Sequence, residues 1–158
     1  MKRVYLSLGS NLGDRRAHLR EAVERLAAQD VRVLRESSIY ETEPRDLREQ
    51  PWFLNQMVEA ETDLFPRQLL RRAQTIEHDM GRRRAVAKGP RVIDIDIVLF
   101  GNSVMHAAEL EIPHPRMHQR RFVLEPLAEL SPELRHPVTG HTVRQMLEKV
   151  MDQTVRRD

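Results

Sequence analysis

No cysteine occurs among the 158 residues. That excludes disulfides, thiolate metal centres and cysteine nucleophiles together. Aromatic residues are scarce, one Trp, two Tyr and four Phe, few for a surface that stacks successive bases. No apolar run approaches the roughly 20 residues that cross a bilayer. The opening MKRVYLSLGS turns polar too early for a secretion signal, so a cytoplasmic protein without membrane contact is expected. Net charge is small as well, with 26 basic residues against 24 acidic ones, and the totals point to neither nucleic acid nor membrane. Lysine is the last scarcity. Only three of the basic residues are lysine; the rest are arginine, whose planar fork matches phosphate and carboxylate.

What is present reads as one domain, 1–158, long enough for its own core. VYLSL at 4–8 alternates as a strand and runs into Gly9-Ser10-Asn11-Leu12-Gly13, a turn of permissive residues. Leu19, Ala22, Val23 and Leu26 then follow helical spacing, with Asp14 placed to cap the start. Val31, Val33 and Ile39 predict further extended segments, and 41–52 a polar loop broken by Pro44 and Pro51. FLNQMVEAET at 53–62 is the next strand, with Phe53, Asn55 and Met57 on one face and Leu54, Val58 and Ala60 on the other. Pro66 to Met80 is a second helix, started by Pro66 and stopped at Gly81. A basic loop, GRRRAVAKGPR, leads into GPRVIDIDIVLF. After a short strand pair around 103–112 and a proline-bounded turn, Thr142-Val143-Arg144-Gln145 opens the last helix with a capping box. Hairpins mixed with helices predict an α+β fold, helices packed on a mainly antiparallel sheet.

The chemistry concentrates at 82–96. Ile93, Ile95 and Ile97 share one strand face, so Asp94 and Asp96 share the other, their Cβ atoms about 6–7 Å apart. Two neighbouring carboxylates need a cation above them, either arginine or metal. With all-oxygen ligands the natural metal is Mg²⁺, which shares phosphate oxygens with a nucleotide. Arg82, Arg83, Arg84, Lys88 and Arg91 lie just ahead of the pair. Alone such a run is a solvated face; beside paired carboxylates it is what phosphoryl transfer needs. GSNLGD lacks the Lys-Ser/Thr ending of a P-loop and reads as a tight turn. His114 and His118 lack a third partner, which disfavours zinc and leaves a phosphate contact or a surface role. Phe53 and Asn55 could hold a flat heteroaromatic ring by stacking and hydrogen bonding, or simply belong to the core.

These motifs have a common likeness. YLSLGSNLGDR at 5–15, YETEP at 40–44, FLN at 53–55, Glu77 with GRRR at 81–84, GPRVIDIDIVLFG at 89–101 and IPHPRMHQRRFVLEPL at 112–127 resemble the 6-hydroxymethyl-7,8-dihydropterin pyrophosphokinase family of folate biosynthesis. The resemblance implies a ferredoxin-like α+β fold and transfer of pyrophosphate from ATP to the pterin hydroxymethyl oxygen, with AMP leaving. It implies that Asp94 and Asp96 hold a pair of Mg²⁺ ions, and that Arg82 and Arg91 act on the phosphates with Arg84 nearby. Phe53 and Phe122 would sandwich the pterin, with Asn55 and the backbone around Thr42 and Pro44 reading its polar edge. Gln74, Glu77, Ile97, His114 and Arg120 would line the ATP side. Ala87 and Lys88 depart from the pattern of relatives, which place a basic residue and an aromatic there, and Glu109 stands where some have arginine. The implied partners are small molecules only, with a monomer expected. Two rivals are a glycosyltransferase using its DxD pair, and a ferredoxin-like nucleic-acid-binding module; the small domain and arginine loop oppose the first, the scarcity of aromatics the second.

Overall fold

A computed structural model describes residues 1–28, 30–44, 49–81 and 91–158. The alternating apolar stretch at the start forms β1 (Lys2–Ser10). Gly13, at φ +70, turns the chain, and the Asp14 carboxylate accepts from the Ala17 amide at 3.1 Å, capping α1 (Arg15–Ala27). The chain continues through β2 (Val31–Glu36), β3 (Tyr40–Thr42) and β4 (Phe53–Thr62). Helix α2 (Pro66–Asp79) starts on its proline, and Gly81, at φ +81, lies just past its end. Next come β5 (Asp94–Phe100) and the short pair β6 (Met105–His106) and β7 (Glu111–Ile112). Helices α3 (Arg121–Leu130) and α4 (Val143–Glu148) and strand β8 (Val155–Arg157) complete the chain. The expected capping box is present on α4: Gln145 N–H donates to Thr142 Oγ1 and Thr142 N–H to Gln145 Oε1.

The described strands of the main sheet run β5-β1-β4-β3-β8, with β2 also paired to β4, and the pairings are antiparallel. Removing β3 and β8 leaves β5-β1-β4-β2 with α1 and α2 as crossovers, the ferredoxin-like βαββαβ arrangement. Strand alternation then assigns the faces. Leu6, Leu8, Leu54, Val58, Ile95 and Ile97 meet Leu19, Leu26, Leu69 and Ile76 of the two helices. Each leucine fully buried there contributes about 1.5–3 kcal/mol. Tyr5, Met57, Val98 and Leu99 meet α3 and α4 on the other face.

That second core covers only part of its face. Glu59, 2% exposed, is satisfied there by Tyr5, Arg3 and Arg35, and the Arg35 hydrogen bond, chiefly, holds its carboxyl below the usual range. The remainder of the face, around Ser7, Gly9, Asn55 and Asp94, forms a cleft.

Two details differ from expectation. Glu41 and Thr42, expected at the start of a loop, continue a strand from Tyr40, because the segment is paired on both sides, by β4 and by the charged C-terminal β8. The alternation predicted through β5 also breaks once. Leu6 opposes Ile97 while Tyr5 opposes Leu99, so Val98 is a bulge, and Val98 and Leu99 both join the second core. No helix among the described residues is long and apolar enough to cross a membrane.

Candidate active site

The cleft has a volume of about 370 Å³. Its floor comes from three neighbouring strands: Ser7 and Gly9 of β1, Phe53 and Asn55 of β4, Asp94 and Asp96 of β5. Thr42 and Glu43 at the end of β3, and His114, Arg120 and Phe122 from the β7–α3 region, form the walls. Gly9 is required by close approach. A Cβ there would lie 2.9 Å from Asn55 Oδ1 and 3.5 Å from the Phe53 ring. Asn55, 4% exposed, donates through Nδ2 to Thr42 Oγ1 at 2.5 Å, so its amide is held in one orientation beside the aromatic ring.

The question of what sits above the two aspartates has a direct answer for one of them. Arg91 Nη1 donates to Asp94 Oδ2 at 2.6 Å, and the same guanidinium lies 5.7 Å from the Phe53 ring centroid. Arg120 lies 5.4 Å from the Phe122 ring in the same way. Each aromatic wall is therefore flanked by a cation, which joins a flat apolar surface to an anion-binding one. Asp96 projects into the cleft from an exposed position.

His114 is placed by the bulge in β5: its amide donates to the Val98 carbonyl at 2.9 Å. Burial first, then the charges of Arg120 and Arg116, push its imidazole down to about 4, so it is neutral near pH 7. Its Nδ1 accepts from the Arg116 amide at 3.2 Å. The ring proton therefore sits on Nε2, a neutral donor in the cleft.

Among the residues singled out from sequence, the cleft gathers Thr42, Phe53, Asn55, Arg91, Asp94, Asp96, His114, Arg120 and Phe122. Pro44 borders an adjoining cavity of about 260 Å³ that shares Thr42 and Phe122. Three others stand apart from this cleft. Gln74 is exposed on α2. Glu77 is buried and accepts from the Ile95 amide at 2.8 Å, tying α2 to β5. Ile97 packs its side chain into the core on the opposite face, as strand alternation requires. Arg82 and Arg84 lie outside the described residues.

Sequence reasoning passed over Asn11. Only 1% exposed, it donates to Gln50 Oε1 and the Pro51 carbonyl at 2.7 and 3.0 Å, and accepts from the Arg91 amide at 2.7 Å. It fastens the β1–α1 turn to the approaches of β4 and β5. An asparagine inside a glycine-flanked turn was the available signal, but the partners were far away in sequence. Arg116, a further cation at the cleft, was also missed.

Residues 5–132 match the family model of 7,8-dihydro-6-hydroxymethylpterin-pyrophosphokinase (HPPK). This chain belongs to the HPPK family. It is 43% identical over 158 residues to the Methylorubrum extorquens protein named 2-amino-4-hydroxy-6-hydroxymethyldihydropteridine pyrophosphokinase, covering 99% of both chains. It is 42% identical over 153 residues to the folic acid synthesis protein fol1 of Pneumocystis carinii, covering 97% of this chain and 21% of that one. The HPPK chain thus spans about a fifth of that fungal relative. A crystal structure of wild-type Plasmodium falciparum HPPK-DHPS superposes with a TM-score of 0.74 at 17% identity, over 96% of this chain and 44% of that one. At that identity the likeness speaks for the fold.

Proposed function

We propose that this protein transfers a pyrophosphoryl group from ATP to the hydroxymethyl oxygen of 6-hydroxymethyl-7,8-dihydropterin. The hydroxyl oxygen attacks the β-phosphorus, the bond from Pβ to the bridging oxygen of the α-phosphate breaks, AMP leaves, and the hydroxyl gives up its proton. The observation that carries this reading is the joining, in one cleft, of a flat-ring site (Phe53, Phe122, Asn55, Thr42) to a charged one (Asp94, Asp96, Arg91, Arg120).

Phe53 and Phe122 provide apolar faces for the pterin, and the fixed Asn55 amide provides hydrogen bonds for its polar edge. Arg91, Arg120 and the Nε2–H of neutral His114 are donors for phosphate oxygens. Arg91 Nε is buried and lacks a hydrogen-bond partner among the described residues, and a phosphate oxygen would supply one. Arg82 and Arg84 belong to the same reading as phosphate-directed cations from the arginine-rich stretch of sequence ahead of Arg91. Gln74, Glu77 and Ile97 are assigned to the ATP side, Glu77 by orienting β5 and Ile97 through its backbone. With a substrate alcohol as nucleophile, positioning and electrostatics supply most of the rate.

The donor set fits Mg²⁺. Asp94 and Asp96 offer hard oxygen ligands from one strand face, and the described residues contain no group of three His, Asp or Glu that would make a closed protein cage. Mg²⁺ favours that arrangement, completing its shell with water and phosphate oxygens. When bound, a pair of such ions would neutralise triphosphate charge.

The test is to mix the protein with Mg²⁺-ATP and the pterin and identify the nucleotide released. AMP formed only when pterin is present is the expected result. ADP, or nucleotide release indifferent to the pterin, would overturn the assignment.

A further inference from the structure

The C-terminal strand has no part in the chemistry above, yet it is built against the ring-binding end of the cleft. Strand β3 has three residues. On one side Thr42 pairs with Phe53 and Tyr40 with Asn55; on the other, Thr42 pairs with Val155 and Glu41 with Arg156. So short a strand has little hold of its own on its register.

Arg156 supplies that hold. Its Nε and Nη2 both donate to Glu41 Oε1, at 3.1 and 2.8 Å. Its guanidinium lies 4.6 Å from the ring centroid of Trp52, the residue immediately before Phe53. Arg15 closes the arrangement from the other side, donating from Nη1 to Glu41 Oε2 at 3.2 Å and to the Trp52 carbonyl at 2.9 Å. Glu41 and Trp52 are therefore joined to each other through two arginines. Each is next in sequence to a ring-site residue, Thr42 in one case and Phe53 in the other.

We propose that Arg156 is a positioning residue for the flat-ring substrate, holding Thr42 and Phe53 in register so that the ring site exists before the substrate arrives. This rests on the pterin reading of the cleft. The Arg156 side chain is 64% exposed, and exposed ion pairs contribute little to folding. Its effect falls on the order of the site rather than on overall stability, because a preformed site spares the substrate the cost of organising it.

The chain contains one tryptophan, and Trp52 is half-buried, so its emission reports on this contact directly. The experiment compares wild type, Arg156→Ala and Arg156→Lys. Trp52 emission and acrylamide quenching are read first, without substrates. Calorimetry then measures binding of Mg²⁺-α,β-methylene ATP, and of the pterin with that analogue saturating. Arg156→Ala is expected to red-shift Trp52, weaken pterin binding roughly three- to ten-fold, and leave analogue binding and the melting temperature near wild type. Arg156→Lys keeps the charge but loses the fork and the planar stack, and should fall between the two.

Unchanged pterin affinity in Arg156→Ala would overturn the proposal. So would equal losses for pterin and nucleotide with a lowered melting temperature, which would make the contact a general structural one. Failure of the wild type itself to bind pterin would overturn the functional reading, and this inference with it.

Discussion

Replacing Asn11 with alanine should be among the most damaging single changes that leave every cleft side chain in place. The substitution removes three hydrogen bonds, to Gln50, to the Pro51 carbonyl and from the Arg91 amide, at a side chain that is 1% exposed. The backbone bond from Asn11 N–H to the Arg91 carbonyl, 3.1 Å, survives. A net loss near 1 kcal/mol per bond, with buried partners left unsatisfied, gives about 2–4 kcal/mol in all. For a chain of this size that lowers the melting temperature by about 5–15 °C. Arg91 is three residues from Asp94 and pairs with it, so turnover should also fall, by about ten-fold or more. Asn11→Asp sharpens the test. It preserves an acceptor for the Arg91 amide but turns a carboxylate oxygen toward the Gln50 and Pro51 acceptors, and should destabilise at least as much as alanine. Urea and thermal unfolding measure the first effect, and AMP release the second. Losses under about 0.5 kcal/mol in both variants, the range of an ordinary surface change, with turnover intact, would refute the reasoning.

Asp94→Ala and Asp96→Ala should each reduce AMP release by about a thousand-fold or more while circular dichroism stays native; a wild-type rate in either removes that carboxylate from the chemistry. Gly9→Ala places a methyl 2.9 Å from Asn55 Oδ1, and should raise the pterin KM about ten-fold at a stability cost of about 1–2 kcal/mol; an unchanged KM would contradict the close approach. For His114 the folded value, about 4, lies below the ordinary 6.5, so from pH 6.5 downward the unfolded chain binds a proton that the folded chain refuses. The stability due to the neutral ring is complete above pH 6.5 and is lost as pH falls towards 4, by up to about 3 kcal/mol. Urea midpoints across that range should flatten in His114→Gln relative to wild type, and parallel slopes would refute the burial argument.

Much of this architecture was legible because local patterns agreed with global ones. The Leu19–Leu26 stripe, the β4 limits at 53 and 62, and the Pro66 and Gly81 boundaries all rest on short-range periodicity and backbone chemistry. The shared face of Asp94 and Asp96 followed from alternation, as did the pairing of Phe53 with Asn55 on one side of β4. What stayed hidden depends on residues distant in sequence. Nothing within TVRRD marks it as a strand; its partner YET and the counter-charge Glu41 lie more than a hundred positions earlier. The bulge at Val98 is visible only once Leu6 and Tyr5 are set against it. Glu77 illustrates the limit in the other direction. Its helix face was readable, but its acceptance from the Ile95 amide required knowing how α2 lies on β5.

The position of β1 has a consequence for synthesis. It is made before both of its partners, yet it lies between β4 and β5, pairing Leu6 with Val58 on one side and with Ile97 on the other. On the ribosome, VYLSL emerges with two open edges, and residues up to about 62 must follow before one of them can close. The second stays open until about residue 100 has cleared the exit tunnel. Helix α1 can shelter the face of Leu6 and Leu8 in the interval but cannot satisfy the edge amides. The growing chain therefore carries an apolar strand awaiting partners until β5 has been made, the period in which holding chaperones have most to protect.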